Sequence, residues 1–381
     1  LECQPALFSD CPPLKRAIDF IPGPILFLRM RIQNLIIGQG LCGTWLSYYL
    51  QKENKSFIVI DDNKENSPSK IAAGIVNPVT GRRMVATWMI EELLPFVWHA
   101  YSEIGYILNI QAISQKNIID FFPSPQMLNA FTRRIEEGDQ YLHAFPEQNH
   151  FNHFFNYDFG CGEIRPVYTA HTELLLPAWR QHLKDADLLR EENFEVSLLN
   201  VTNETIEYKD IIADKIIFCD GANGFDNPFF NLLPFAPNKG EALILEIPEL
   251  PDHNIYKKGM LLAPLSDKDI FWIGSSYEWE FQDSLPSKKF REATQLVLKS
   301  WLKIPFKIID HKAGVRPATL ERRPFVGFHP LHKNAGILNG MGTKGCSLAP
   351  YFAKQLADQL IFDSSIQPDA DINRFQKILT R

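Results

Sequence analysis

Residues 34–37 are a short, mostly apolar run of the kind expected for a strand buried on both faces of a parallel sheet. Trp45, Leu46, Tyr49 and Leu50 then share one helical face, and residues 57–60 are again continuously apolar, so the pattern predicts a βαβ unit. A polar loop rich in Gly, Pro, Asn and Ser follows over 62–86. A helix is expected over 88–106, with Pro95 as a kink or break. Further along, the periods predict a strand over 117–122, a helix over 124–137 and another helix from His171. Strands are then expected at 194–199, 205–208 and 215–218, the last ending in a Cys219-Asp220-Gly221-Ala222 turn. Residues 241–247, 260–263 and 270–274 read as a run of strands followed by a helix over 288–302, which indicates a β-rich second domain. A buried strand over 335–338 and a helix over 347–360 complete the pattern. The aromatic-rich stretch 145–159 has no clear period, and its Phe-rich part, 150–159, reads as core.

The segment before this pattern differs in kind. Pro12, Pro13, Pro22 and Pro24 interrupt every period, and the apolar run 21–28 is too short to span a bilayer and lacks a small-residue cleavage site. Residues 1–29 are therefore expected to be a dispensable leader or non-native extension, with Met30 as the natural start. The alternative is an N-terminal arm that packs on the domain.

The chemistry begins at Gly38-Gln39-Gly40-Leu41-Cys42-Gly43, between the first strand and the first helix. Gly38 suits the tight turn, Gly40 lets the backbone approach a pyrophosphate, and Gly43 lets the helix pack on the strand. The helix N-terminus at Leu41 and Cys42 offers free N–H donors to the phosphates. Asp61 closes the second strand, where a carboxylate can accept from ribose hydroxyls, while Asp62 is expected to be solvated. This unit alone does not choose between NAD and FAD.

Composition narrows the remainder. A formal net charge of -6 provides no basic field, which argues against a dedicated nucleic-acid binder. The cysteines Cys3, Cys11, Cys42, Cys161, Cys219 and Cys346 lack CxxC or metal-ligand spacing and suit reduced thiols in a cytoplasm, and no metal site or transmembrane segment is expected.

Three further segments make the reading specific. Gly314-Val315-Arg316-Pro317, Arg323-Pro324-Phe325-Val326-Gly327 and the long run from Asn339 to Pro350 resemble the C-terminal pattern of the D-amino acid oxidase and glycine oxidase superfamily. The loop Ser69 to Pro78 is similar to that family's Ser/Ala/Gly loop beside the flavin. The likeness implies an α/β fold: a discontinuous Rossmann-type FAD-binding domain over 30–110, 160–225 and 310–381. A second α+β substrate domain on a mixed β-sheet is implied over 111–159 and 226–309.

It also implies non-covalent FAD, with Ala72, Ala73, Gly74, Gly221, Gly340, Gly342, Thr343, Lys344 and Gly345 joining Gly38, Gly40, Leu41, Cys42, Gly43 and Asp61 around it. Arg316 matches the arginine that grips the substrate carboxylate, a role suited to a planar, permanently charged fork; its alternative is an ion pair with an acid such as Glu321. The implied reaction is oxidation of a small carboxylate-bearing amine by hydride transfer, with oxygen or another acceptor reoxidising the flavin.

Two positions depart from glycine oxidase: Leu261 stands where a carboxylate-binding tyrosine is expected, and Thr343 stands where a second arginine is expected. Tyr277 is a candidate replacement, though a packed or exposed strand-end tyrosine is the plainer reading. Cys346, at a helix N-terminus, reads as packing rather than as a covalent flavin link. Gly314 to Thr319 also resembles the oxidase domain that trims carboxymethylaminomethyl groups from tRNA wobble uridine. A flavin-binding interaction module without turnover is the reading from outside enzymology.

Overall fold

The computed structural model describes residues 18–19, 29–81, 83–202 and 204–381. Two large sheets organise it. In the first, Leu189–Arg190, Phe57–Ile60, Arg29–Ile37 and Ile211–Phe218 run parallel in that order. The far edge of the last strand is shared, pairing antiparallel with Ile206–Tyr208 at one end and parallel with Ala335–Asn339 at the other. The uninterrupted apolar character of Phe57–Ile60 and of residues 335–338 follows from burial on both faces. Ile36, Val59, Ile217 and Leu338 pack under the helices Leu41–Lys52 and Gly345–Phe362. Their neighbours Leu35, Ile37, Ile58, Ile216 and Ile337 pack on the opposite face with Phe230, Phe325 and Phe375, the alternation a pleated strand imposes.

The second sheet holds eight strands among the described residues, from Lys307–Arg316 through Asn238–Glu246, Ile270–Gly274, Met260–Pro264 and Ile255–Lys258 to Ile118–Phe121, Cys161–Ile164 and Leu142–Ala144. It is mixed: Ile255–Lys258 and Ile118–Phe121 pair parallel, the others antiparallel. The helix Lys288–Trp301 begins at Ser287, whose hydroxyl accepts from Phe290 N. Its Leu298 and Trp301 close a core with Phe121, Tyr256 and the Phe-rich stretch, of which Phe151 and Phe155 are fully buried. Those two are core as the composition suggested, whereas Phe154 is half-buried and Phe159 exposed.

Several boundaries differ from expectation. Lys307–Arg316 pairs along its length with Asn238–Glu246, so residues 310–316 sit in the second sheet rather than with the first unit, as do Cys161–Ile164. Lys307–Arg316 is an edge strand, half solvated, and its charged Lys307, Asp310, His311 and Lys312 hide it from a search for apolar runs. The strand expected at 194–199 is a short 3₁₀ turn at Val196–Leu198 leading into Leu199–Val201. The leader expected over 1–29 lies outside the described residues, apart from Arg29 and the short strand Ile18–Asp19, which pairs antiparallel with Arg29–Met30. No helix among the described residues is long and apolar enough to cross a membrane, and no cluster of three metal-ligating side chains occurs among them.

Candidate functional site

A cavity of about 810 Å³ lies where the C-terminal ends of the first sheet's parallel strands meet the face of the second sheet, within the range of sites that enclose cofactors and small ligands. Gly38, Gly40, Leu41 and Cys42 line one end of it, with Asp61 beside them. Ala72, Ala73 and Gly74 line it from the loop after the second strand, and Gly221 from the turn after Ile211–Phe218. Gly342, Thr343, Lys344 and Gly345 reach it from the other end of the chain, and Arg316 from the second sheet. Two expected residues stand behind the wall. A Cβ on Gly43 would fall 1.8 Å from the Gly38 carbonyl oxygen, so Gly43 seats the helix on the turn; Gly340 turns the chain just ahead of the C-terminal loop.

Two helix N-termini open into this space. Leu41–Lys52 starts at Gly40 and Gly345–Phe362 at Lys344, neither with a side-chain cap nor an acidic residue in its first turn. Leu41 N donates to Ser69 Oγ at 3.1 Å, so the first donor of that helix is engaged, while no first-turn carboxylate offsets the partial positive charge of either end. They are neighbours: a Cβ on Gly345 would lie 3.2 Å from Leu41 Cδ1.

Three carboxylates at this end differ in their surroundings. Asp61 is tied to Arg180, whose Nη1 donates to Asp61 Oδ1 at 2.7 Å. Asp62 is exposed and pairs at the surface with Lys64 at 3.1 Å. Asp220, half-buried in the cavity wall, accepts from Asn339 Nδ2 at 3.0 Å and Asn227 Nδ2 at 3.3 Å. Desolvation outweighs these bonds and one from backbone N–H, and raises its pKa to about 6.

Arg316 sits at the end of its strand directly opposite Asn238. Its Nη1 donates to Asn238 Oδ1 at 2.7 Å and to the Ser276 carbonyl at 3.1 Å, and its guanidinium lies 4.9 Å from the centroid of the Tyr277 ring. Room for it exists because residue 240 is glycine: a Cβ there would come within 1.8 Å of Arg316 Nη2. The carboxylate first considered as its partner is engaged elsewhere, since Glu321 pairs with Arg374 at 3.1 Å. Among the described residues Arg316 has no acidic partner, and its Nε and Nη2 have no acceptor. Burial lowers its pKa, a sign that the charge lacks the stabilisation an anion would supply.

Lys344 is a second under-compensated cation. It donates to Thr87 Oγ1 at 3.2 Å, and burial pushes its pKa down to about 8. Cys346 is buried and its thiol is pushed up to about 12, the opposite of a reactive thiolate at a helix end. Leu261 and Tyr277 both line the cavity, and Tyr277 is at once 59% exposed and stacked on Arg316.

Sequence reasoning missed Asn238, Gly240 and Ser276, which together seat the arginine. The signal was available in principle as the period-two alternation of Asn238, Gly240 and Ala242, but only once Lys307–Arg316 is known to be the neighbouring strand. It also missed Arg180 and Asp220, whose partners come from distant segments.

A family model described as DAO, FAD dependent oxidoreductase, matches residues 34–359. Among solved structures the chain is similar to an iminodiacetate oxidase from Chelativorans sp. BNC1, with a TM-score of 0.73 and 18% identity, covering 90% of this chain and 98% of that one. It is similar to glycine oxidase from Geobacillus kaustophilus at a TM-score of 0.71 and 16% identity, covering 91% and 98%. L-proline dehydrogenase from P. horikoshii gives a TM-score of 0.70 at 15% identity, covering 92% and 99%. Likeness at these identities establishes a shared fold.

Proposed function

Because this chain belongs to the DAO family of FAD-dependent oxidoreductases, we propose that it oxidises a small carboxylate-bearing amine, an amino acid or an N-substituted glycine, with FAD held non-covalently. The cavity's chemistry suits that cofactor. The N-terminal end of Leu41–Lys52 would meet its diphosphate, Asp61 its adenosine ribose, and backbone at Ala72–Gly74, Gly221 and Gly342–Gly345 its flavin half. Thiols at Cys42 and Cys346 that burial pushes up to about 12 support a non-covalent attachment.

When bound, FAD supplies the two-electron acceptor for the hydride that leaves the carbon beside the amine. The chain's own residues orient the substrate. The observation that carries the reading is Arg316: one nitrogen is fixed by Asn238 and Ser276, and the remaining N–H groups are left for a carboxylate. Gripping the carboxylate holds the adjacent C–H in one place, and the partly enclosed cavity strengthens the grip by limiting water. The amine reacts unprotonated, and water hydrolyses the resulting imine to a carbonyl compound and the released amine.

The test is anaerobic bleaching of the bound flavin by glycine, sarcosine, proline and D-amino acids, each beside its decarboxylated counterpart. Bleaching by at least one carboxylate-bearing amine, lost selectively in Arg316→Ala, supports the proposal. Equal reaction with the decarboxylated amines, or none with any member, refutes it.

A further inference from the structure

The acid that would meet the adenosine ribose is not free to turn. Asp61 Oδ1 accepts from Asn63 N at 2.8 Å and from Arg180 Nη1 at 2.7 Å, and Oδ2 accepts from Gln39 N at 2.8 Å. A carboxylate offers about four acceptor positions, so a single one remains, on Oδ2. Arg180 comes from the helix Thr172–Asp185, far along the chain, and its side chain is only 8% exposed.

Every donor on Arg180 is already used. Nη1 serves Gln39 Oε1 at 3.0 Å as well as Asp61; Nη2 serves the Asp61 carbonyl at 3.2 Å and Glu191 Oε1 at 2.9 Å; Nε serves the same Glu191 oxygen at 3.0 Å. A guanidinium has five N–H groups in a fixed plane, so none is left over for a ligand. Arg180 therefore cannot grip the cofactor itself. What it can do is lock two groups that flank the cofactor's path: the Asp61 carboxylate and Gln39, the residue between the first two glycines of the turn. Gln39 is held at its other end as well, its Nε2 donating to Thr44 Oγ1 at 3.0 Å and to the Leu176 carbonyl at 3.3 Å.

We propose that Arg180 is a positioning residue for FAD, fixing Asp61 so that it presents one acceptor to one ribose hydroxyl and holding the Gly38-Gln39-Gly40 turn in its phosphate-binding shape. The proposal rests on the reading that Asp61 meets the ribose, and the experiment separates the two. FAD affinity of the apoprotein is read by quenching of flavin fluorescence for wild type, Arg180→Met, Arg180→Lys, Asp61→Asn and the Arg180→Met/Asp61→Asn double variant, alongside the unfolding midpoint of each apoprotein.

The expected result is a rise in FAD Kd of roughly tenfold or more for Arg180→Met and for Asp61→Asn, with a rise in the double variant clearly smaller than the product of the two, because they share the Asp61 carboxylate while Arg180 alone also holds Gln39. Arg180→Lys, which keeps the charge and loses the fork, is expected to fall between wild type and Arg180→Met. Additive losses in the double variant, or a loss in Arg180→Met matched by the fall in apoprotein stability, would show a purely structural arginine and overturn the proposal. Should Arg180→Met fail to fold, Arg180→Lys carries the test, and wild-type affinity there overturns it. Wild-type affinity in Asp61→Asn would instead remove the ribose reading beneath it.

Discussion

Replacing Gly240 with alanine adds one methyl group and attacks one interaction. The new Cβ would lie 1.8 Å from Arg316 Nη2, 2.1 Å from Cζ and 2.4 Å from Nη1. All three atoms belong to the mobile end of a long side chain, so the guanidinium yields rather than the sheet. Gly240 pairs with Gly314 in a regular antiparallel ladder and has no positive φ, so alanine suits the strand, and global stability should move by less than about 1 kcal/mol.

The functional effect should be much larger. Eviction costs Arg316 its bonds to Asn238 and the Ser276 carbonyl and its place over Tyr277. Hydrogen bonds from a charged donor are each worth about 1.5–3 kcal/mol, and some re-form with solvent. A net loss of about 2–4 kcal/mol in carboxylate binding corresponds to a roughly 30- to 1,000-fold weaker Kd. The assay is titration of the holoprotein with a simple carboxylate, followed by perturbation of the flavin absorbance, with thermal unfolding in parallel. Arg316→Ala should show a similar loss, and the double variant little more. Carboxylate affinity unchanged in Gly240→Ala would refute both the seat and the role assigned to its occupant.

Other outcomes follow from the same coordinates. Gly43→Ala sets a Cβ 1.8 Å from a backbone carbonyl that cannot swing aside, so it should destabilise the chain by about 3 kcal/mol or more and yield colourless protein, checked by denaturant unfolding and visible absorbance. Ser287→Ala removes a hydroxyl that donates to the buried Glu241 carboxylate at 2.7 Å and caps the helix at Phe290; a loss of about 1–3 kcal/mol is expected in urea unfolding. Asp220 has its folded pKa raised from 3.8 to about 6, so its burial is tolerated below the unfolded value and increasingly penalised as pH rises through this window. Apoprotein stability should therefore include a component that declines between about pH 4 and pH 6, and Asp220→Asn should flatten it; an unchanged slope would show that Asp220 titrates normally.

What could be read from the chain and what could not divides along physical lines. The dinucleotide turn was legible because its glycines, the flanking apolar runs and Asp61 are all local, and Phe57–Ile60 forms a strand at the expected residues. Arg316 could be singled out only by resemblance, and its seat was invisible because Asn238, Gly240 and Ser276 reach it through strand pairing. Register is a tertiary property, and a half-solvated edge strand such as Lys307–Arg316 provides little periodic signal to locate it. The bonds that engage Asp61 were hidden for the same reason, since Arg180 reaches it from a helix that the sequence marks only as amphipathic.

The adjacency of Leu41 and Gly345 has a consequence for biogenesis. Leu41 is translated well before Gly345, with the whole second sheet made in between. A nascent chain that has not yet reached Gly345 has the phosphate turn without the opposing wall, so cofactor capture waits for that segment. The chain then acts as a clasp whose two jaws meet last, and truncation behind Asn339 should leave a protein that gathers much of its first sheet yet retains no colour.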